Sequence, residues 1–210
     1  MATRNNSKAR TEIIEQLKED HQSAKKGFRD AEKLDAEEDG DELQAIVQKV
    51  CGELEVHTRL EEELFYPAAR EAMKEDDLID EAEVEHGSAK ALIAQLREMT
   101  PEEEKFQATF KVLGEYVKHH IKEEESEMFP AMQGRSGVDW EQIQQQMQTM
   151  REQLMSEMGI GDEQEEEDEE EVTAAPARST RSSSKRSTPS RRSQAESRPQ
   201  AADRDEESNE

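Results

Sequence analysis

Cysteine is almost absent from this sequence. Cys51 is the one thiol in 210 residues, so no internal disulfide can form, which fits a reducing compartment and a cytoplasmic protein. Apolar residues are also scarce, at 31%, low for a chain folded throughout. Nearly all of them precede residue 161. No run of about 18 apolar residues occurs, so no membrane span is expected, and Met1 to Arg10 lacks the apolar stretch of a secretory signal. Basic charge is in deficit: 28 Lys and Arg stand against 53 Asp and Glu, a formal net charge of −25. That balance argues against the folded part binding nucleic acid or an anionic membrane. Strand-forming patterns are nearly missing as well.

Good helix formers fill residues 1 to 160. Apolar residues at helical spacing predict a first helix over 8–36, through Ile13, Leu17, Ala24 and Phe28. A turn at Glu38-Asp39-Gly40 leads to a second helix over 41–73, in which Pro67 predicts a kink or break. A third helix is expected over 76–98. Thr100, Pro101 and Glu103 have the arrangement of a helix start with a capping box, and the fourth helix should run from there to Pro130. Gly134 to Gly137 interrupts the chain, and a Gln- and Met-rich fifth helix follows over 139–158, to cap the others or pair with another chain. The expected architecture is all-α: an up-down-up-down four-helix bundle over 8–133 made of two αα-hairpins, and an additional helix within 138–160. A disordered tail is expected over 161–210. Asp162 to Glu171 holds nine acidic residues in ten, and Arg178 to Arg198 holds seven basic residues and eight serines. The tail reads as a solubilising segment, with a partner for its basic part or phosphorylation as alternatives.

Residues 8–133 contain a duplicated pattern. Asp20-His21-Gln22-Ser23-Ala24-Lys25 matches Glu85-His86-Gly87-Ser88-Ala89-Lys90. Later in each half, Glu61 follows His57 by four residues and Pro67 by ten, as Glu124 and Pro130 follow His120. Four of the five histidines thus fall in two equivalent pairs, with His119 the extra one.

Positions four apart on a helix differ by about 40° and share a face. His57 with Glu61, and His120 with Glu124, therefore point the same way, and each lies on an apolar stripe, as do His21 and His86. An interior with four imidazoles and two carboxylates needs a reason to exist, because a buried unpaired carboxylate costs several kcal/mol. Two divalent metals supply one: imidazole suits iron, zinc, copper and nickel, and carboxylate can bridge two ions. The candidate metal ligands are His21, His57, Glu61, His86, His120 and Glu124. Asp20, Glu85, Tyr66 and Tyr116 are candidates to support them. His119, with Glu123 four residues on, offers a rival register, but the proline offset and the apolar flanks favour His120 with Glu124. Glu62, Glu63, Glu123 and Glu125 read as solvated or supporting residues, Cys51 as a packing residue, and the nine Met as core filler.

These motifs over residues 8–133 resemble the hemerythrin family, in its HHE cation-binding branch. The resemblance implies a non-haem di-iron centre bridged by carboxylates and an oxygen atom, with His21, His57, Glu61, His86, His120 and Glu124 as iron ligands and two Fe per chain. It also implies O2 or a related small oxidant as partner. One departure stands out. Oxygen carriers of the family have a second histidine one turn after the one matched by His86, and here that place is Lys90. Reversible O2 carriage is thereby put in doubt, and a centre open to outside ligands is expected. The reading is a protein that binds or senses O2, a related oxidant or iron, rather than an enzyme. The alternatives are a di-iron enzyme reducing peroxide or nitric oxide, and a metal-free helical scaffold acting through its tail.

Overall fold

The computed structural model describes residues 2–73, 77–132, 135 and 137–160; the tail expected over 161–210 lies outside the described residues. Every element among them is helical: α1 (Ala2–Ala31), α2 (Gly40–Leu60), α3 (Tyr66–Met73), α4 (Asp77–Glu98), α5 (Phe106–Glu123), α6 (Phe129–Ala131) and α7 (Trp140–Met158). A wide π-helical turn, Glu61–Phe65, joins α2 to α3, and a second, Glu124–Met128, joins α5 to α6. The long helices close a ring of contacts. α1 packs on α2 and α5, and α4 packs on α2 and α5, while α7 lies against α1 and α2.

Two apolar clusters fill the interior. The first takes Ile13 and Leu17 from α1, Leu60 from α2, Ile79 from α4, Met128 from the second π turn, and Trp140 from α7. The second takes Phe28, Val47, Ile93, Phe106 and Leu113. α1 and α4 give the first cluster residues from their N-terminal halves, whereas α2 and α5 lead into it at their C-terminal ends. Between the clusters, α1, α2, α4 and α5 each contribute a buried histidine.

Three local features depart from the sequence expectation. The helix after residue 98 begins at Phe106, not at Thr100. Thr100 N–H does bond Glu103 Oε1 at 3.0 Å, half of a capping box, but residues 101–105 form turns that deliver Phe106, wholly buried, into the second cluster. Packing outweighs local capping preference here. α1 ends at Ala31, five residues early, because Asp35 and Asp39 side chains accept backbone N–H groups of Glu37 and Asp35 and favour a turn. Pro67 does not break its helix. The bond register has already widened just before it: Tyr66 N–H reaches Glu61 O, five residues back. Pro130 follows the second π turn in the same way, after Phe129 N–H bonds Glu124 O.

α7 is sharply delimited. Asp139 caps its first turn by accepting Gln142 N–H at 3.2 Å. Gly159, at φ 67°, ends it in the left-handed conformation, with Ile160 N–H returning to Met155 O at 3.0 Å. Ile160 then lies over Gly52, where a Cβ would meet its Cδ1 at 2.6 Å.

Close helix contact makes Gly27 and Gly87 respond oppositely to alanine. A Cβ at Gly27 would meet Val50 Cγ2 at 2.2 Å, and one at Gly87 meets nothing within 4 Å. Thermal melts should show Gly27→Ala losing about 1–3 kcal/mol from overpacking and Gly87→Ala gaining about 0.5–1 kcal/mol from helix propensity. Cys51 is buried, and burial pushes its thiol up to about 12 despite Arg97 nearby. The folded chain should therefore resist alkylation at pH 8 and react once denatured, as mass spectrometry can read.

Candidate metal centre

His21 on α1, His57 on α2, His86 on α4 and His120 on α5 all lie in the polar layer between the two clusters. Glu61 and Glu124 join them from the first residue of each π turn. All six are buried. Their free atoms fall into two groups that share Glu61, one of His21, His57, Glu61 and Glu124, the other of Glu61, His86 and His120. Glu61 Oε2 lies 3.1 Å from His57 Nε2 and 3.4 Å from His86 Nε2. Glu124 Oε2 lies 3.2 Å from His21 Nε2 and 3.4 Å from His120 Nε2. Each carboxylate thus touches one histidine from either half of the duplicated pattern. His119 is not part of this set: its side chain is 59% exposed, against Glu85 and Glu123.

The outward ring nitrogens explain the rest of the repeat. His57 Nδ1 meets Asp20 Oδ2 at 3.1 Å, and His120 Nδ1 meets Glu85 Oε2 at 2.8 Å. In both pairs the acid preceding the first histidine of a half supports the second. Across the halves, His21 Nδ1 meets Glu125 Oε1 at 3.0 Å and His86 Nδ1 meets Glu62 Oε1 at 3.0 Å. Lys25 and Lys90, each one turn after a histidine, hold those same two glutamates. Four carboxylates therefore accept four Nδ1–H bonds. That fixes the tautomer, orients the rings, and turns every Nε2 lone pair inward.

Inward, acceptor faces acceptor. His86 Nε2 and His120 Nε2 are 3.1 Å apart, and four further atoms, His21 Nε2, His57 Nε2, Glu61 Oε1 and Glu124 Oε2, are buried with no hydrogen-bond partner. Such groups are costly unless a proton or a cation lies among them. Burial disfavours a charged His57, yet Glu61 and Asp20 beside it hold its pKa well above the usual range. His120 is raised in the same way, against burial, by Glu85 and Glu124. Without a metal the centre draws in protons; imidazole and carboxylate oxygen together are a donor set that accepts iron or zinc in their place.

Tyr66 stands at the middle, wholly buried. Its hydroxyl donates to Glu124 Oε1 at 3.0 Å and lies 3.4 Å from Glu61 Oε2 and 3.3 Å from His86 Nε2. Burial first, then the two glutamates, raise its pKa well above the usual value, so it stays a donor. Tyr116, the other tyrosine expected to support the site, lines the cavity that reaches the four histidines but is 50% exposed and makes no such bond. Arg151 is a supporting residue that the repeat gives no sign of. From α7 it grips Asp20 with two bonds, Nη1 to Oδ1 at 3.0 Å and Nη2 to Oδ2 at 2.6 Å. A cavity of about 740 Å³ reaches the four histidines, walled by Ile13, Ala24, Leu54, Val117 and Met147 among others.

Residues 12–132 match the hemerythrin HHE cation binding domain family. The chain belongs to this family. A hemerythrin HHE cation binding domain-containing protein from Mycobacterium kansasii, known from its crystal structure, superposes with a TM-score of 0.56 at 26% identity, covering 67% of this chain and 85% of that one. A DNA nickase of Nostoc sp. (strain PCC 7120) is 29% identical over 112 residues, 53% of this chain and 31% of the nickase. The chain thus spans less than a third of that relative. The match places this HHE domain on α1 to α6 and leaves α7 outside it. Among the described residues no helix is long and apolar enough to cross a membrane.

The metal-free HHE centre carries a pH signature. His57 and His120 hold protons in the folded chain above the ordinary value of 6.5. The stability this confers is complete below that value and is lost as pH rises through the raised ones. The melting temperature of chelator-stripped protein should fall as pH climbs from about 6.5, and a flat or rising profile in calorimetry would contradict the geometry.

Proposed function

We propose that His21, His57, Glu61, His86, His120 and Glu124 hold two iron ions, and that the chain binds or senses O2, a related small oxidant, or iron itself. The observation that carries this reading is the convergence of four inward Nε2 atoms and two carboxylates in a buried layer where acceptors face one another. Membership of a cation-binding family supports it. The closed ring of helix contacts, with alternate helix halves meeting in each apolar cluster, supports an up-down-up-down four-helix bundle over 8–133 as its frame. A cytoplasmic location is part of the same proposal.

Ferrous ions held there would supply electrons and open coordination places to a small oxidant. The chain's own residues do the rest. Asp20, Glu62, Glu85 and Glu125 keep the four rings in register. Ala24, Leu54 and Val117 give the cavity beside the centre an apolar wall. Tyr66 holds a proton at its hydroxyl, on Glu124 Oε1. Lys90 occupies the place of a further imidazole and spends its charge on Glu62, so the His86–His120 side has one donor fewer and more room for an outside ligand. A peroxide- or nitric oxide-reducing enzyme at the same centre is the second reading, favoured by that open side and by the Tyr66 proton. The activity named for the Nostoc relative is not adopted, because a net charge of −25 is a poor match for DNA.

Anaerobically purified protein should carry about two irons per chain, the number the six donors can serve, and its visible spectrum should change on admitting air. Glu61→Gln with Glu124→Gln should bring the iron content close to zero. At pH 6.5 and below the metal-free double variant should melt lower than metal-free wild type, since the carboxylates that help hold His57 and His120 protonated are gone. Failure to take up metal after anaerobic reconstitution with ferrous ion would leave the scaffold reading.

A further inference from the structure

From α1 to α6 the duplicated pattern makes the two sides of the centre near-equivalent, and α7 breaks that equivalence. α7 packs on α1, α2 and the first π turn. Its seat is rigid. Asn6 donates to Val138 O at 2.8 Å and accepts Trp140 N–H at 2.6 Å, Gln144 reaches Glu12 at 3.0 Å, and Trp140, Met147 and Leu154 are buried. From this base Arg151 holds both oxygens of Asp20, whose Oδ2 also takes His57 Nδ1. A bidentate guanidinium fixes a carboxylate more firmly than any other side chain does. In the second half, Glu85 occupies the place of Asp20 and supports His120. Its other neighbour is not a guanidinium but exposed His119, at 3.6 Å. The donor groups are unequal too: four residues gather at His21–His57 and three at His86–His120.

We propose that Arg151 is a positioning residue which, through Asp20, locks His57 in place and makes the His21–His57 position the tight, first-filled metal position, leaving the His86–His120 position exchangeable. This rests on the two-metal reading above. A protein so built keeps one ion as a fixed part and gains or loses the other with supply. The unequal donor count is independent of α7, so removing Arg151 narrows the gap between the positions.

Zinc, which is redox-silent, tests this on the full chain. Metal-free protein is titrated calorimetrically in competition with a chelator, and crystals grown with one equivalent of zinc are read by anomalous scattering. Wild type should bind two zinc ions in separate steps, with the first anomalous peak at His21–His57. Arg151→Met should still bind two, with the tight step weakened by about ten- to a hundredfold, as loss of an outer partner does, and the loose step unmoved. Arg151→Lys should recover part of the loss. Two indistinguishable steps in wild type, a first peak at His86–His120, an unaltered tight step in Arg151→Met, or equal weakening of both steps would each overturn the proposal while leaving the two-metal reading intact. A wild type that binds no zinc would overturn that reading and this one together.

Discussion

The structure turns on a set of hydrogen-bond acceptors made to face one another in a buried layer. Four imidazoles give their N–H groups outward to carboxylates and present lone pairs inward, where two more carboxylates wait. No arrangement of the side chains alone relieves that crowding, and a positive charge does. The motif residues make sense in that light. The acid before each early histidine, the acid after each inward glutamate, and the lysine one turn on all serve to keep rings from turning away from their neighbours. Half of this support runs within a hairpin and half crosses between hairpins, so neither hairpin can shift without disturbing the other's histidines.

The π turns solve a problem of reach. Residues five apart on an α-helix point about 140° away from each other, so Glu61 and Tyr66 could not both enter the centre from a regular helix. A turn closed from residue i to i+5 stacks them, and Tyr66 then meets Glu61 and, across the interior, Glu124. The second π turn places Phe129 at the matching point, its ring parallel to that of His21 at 6.0 Å. One aromatic brings a hydroxyl and the other does not. The wide turns also account for a proline ten residues after each late histidine, since the register has shifted before the missing N–H is reached.

Much of this was legible in the sequence because it was repeated. The spacing of His57 to Glu61 and of His120 to Glu124 gives their common face, and the apolar flanks separate buried His120 from exposed His119. The helices themselves follow from period and composition. What could not be read depends on contacts between distant segments. Arg151 lies 131 residues from Asp20, on a helix with no counterpart in the repeat, so no pattern announces it. Tyr116 lies one turn before His120 and lines the same cavity, yet it is half exposed and makes no bond to the six residues, a distinction that needs the packing of the neighbouring helices. Thr100 and Glu103 make their local bond as expected, yet the burial of Phe106 decides where the helix begins.

The place of the polar layer has a consequence for how the molecule comes apart. It separates one apolar cluster, which includes Leu17, Leu60 and Ile79, from another, which includes Phe28, Val47 and Ile93. Each is a respectable core in itself, and what joins them is a slab of imidazole and carboxylate. Filled with cations, that slab would tie the two half-cores into a single melting unit. Emptied, it is a fault line, along which one end can fray while the other stays folded.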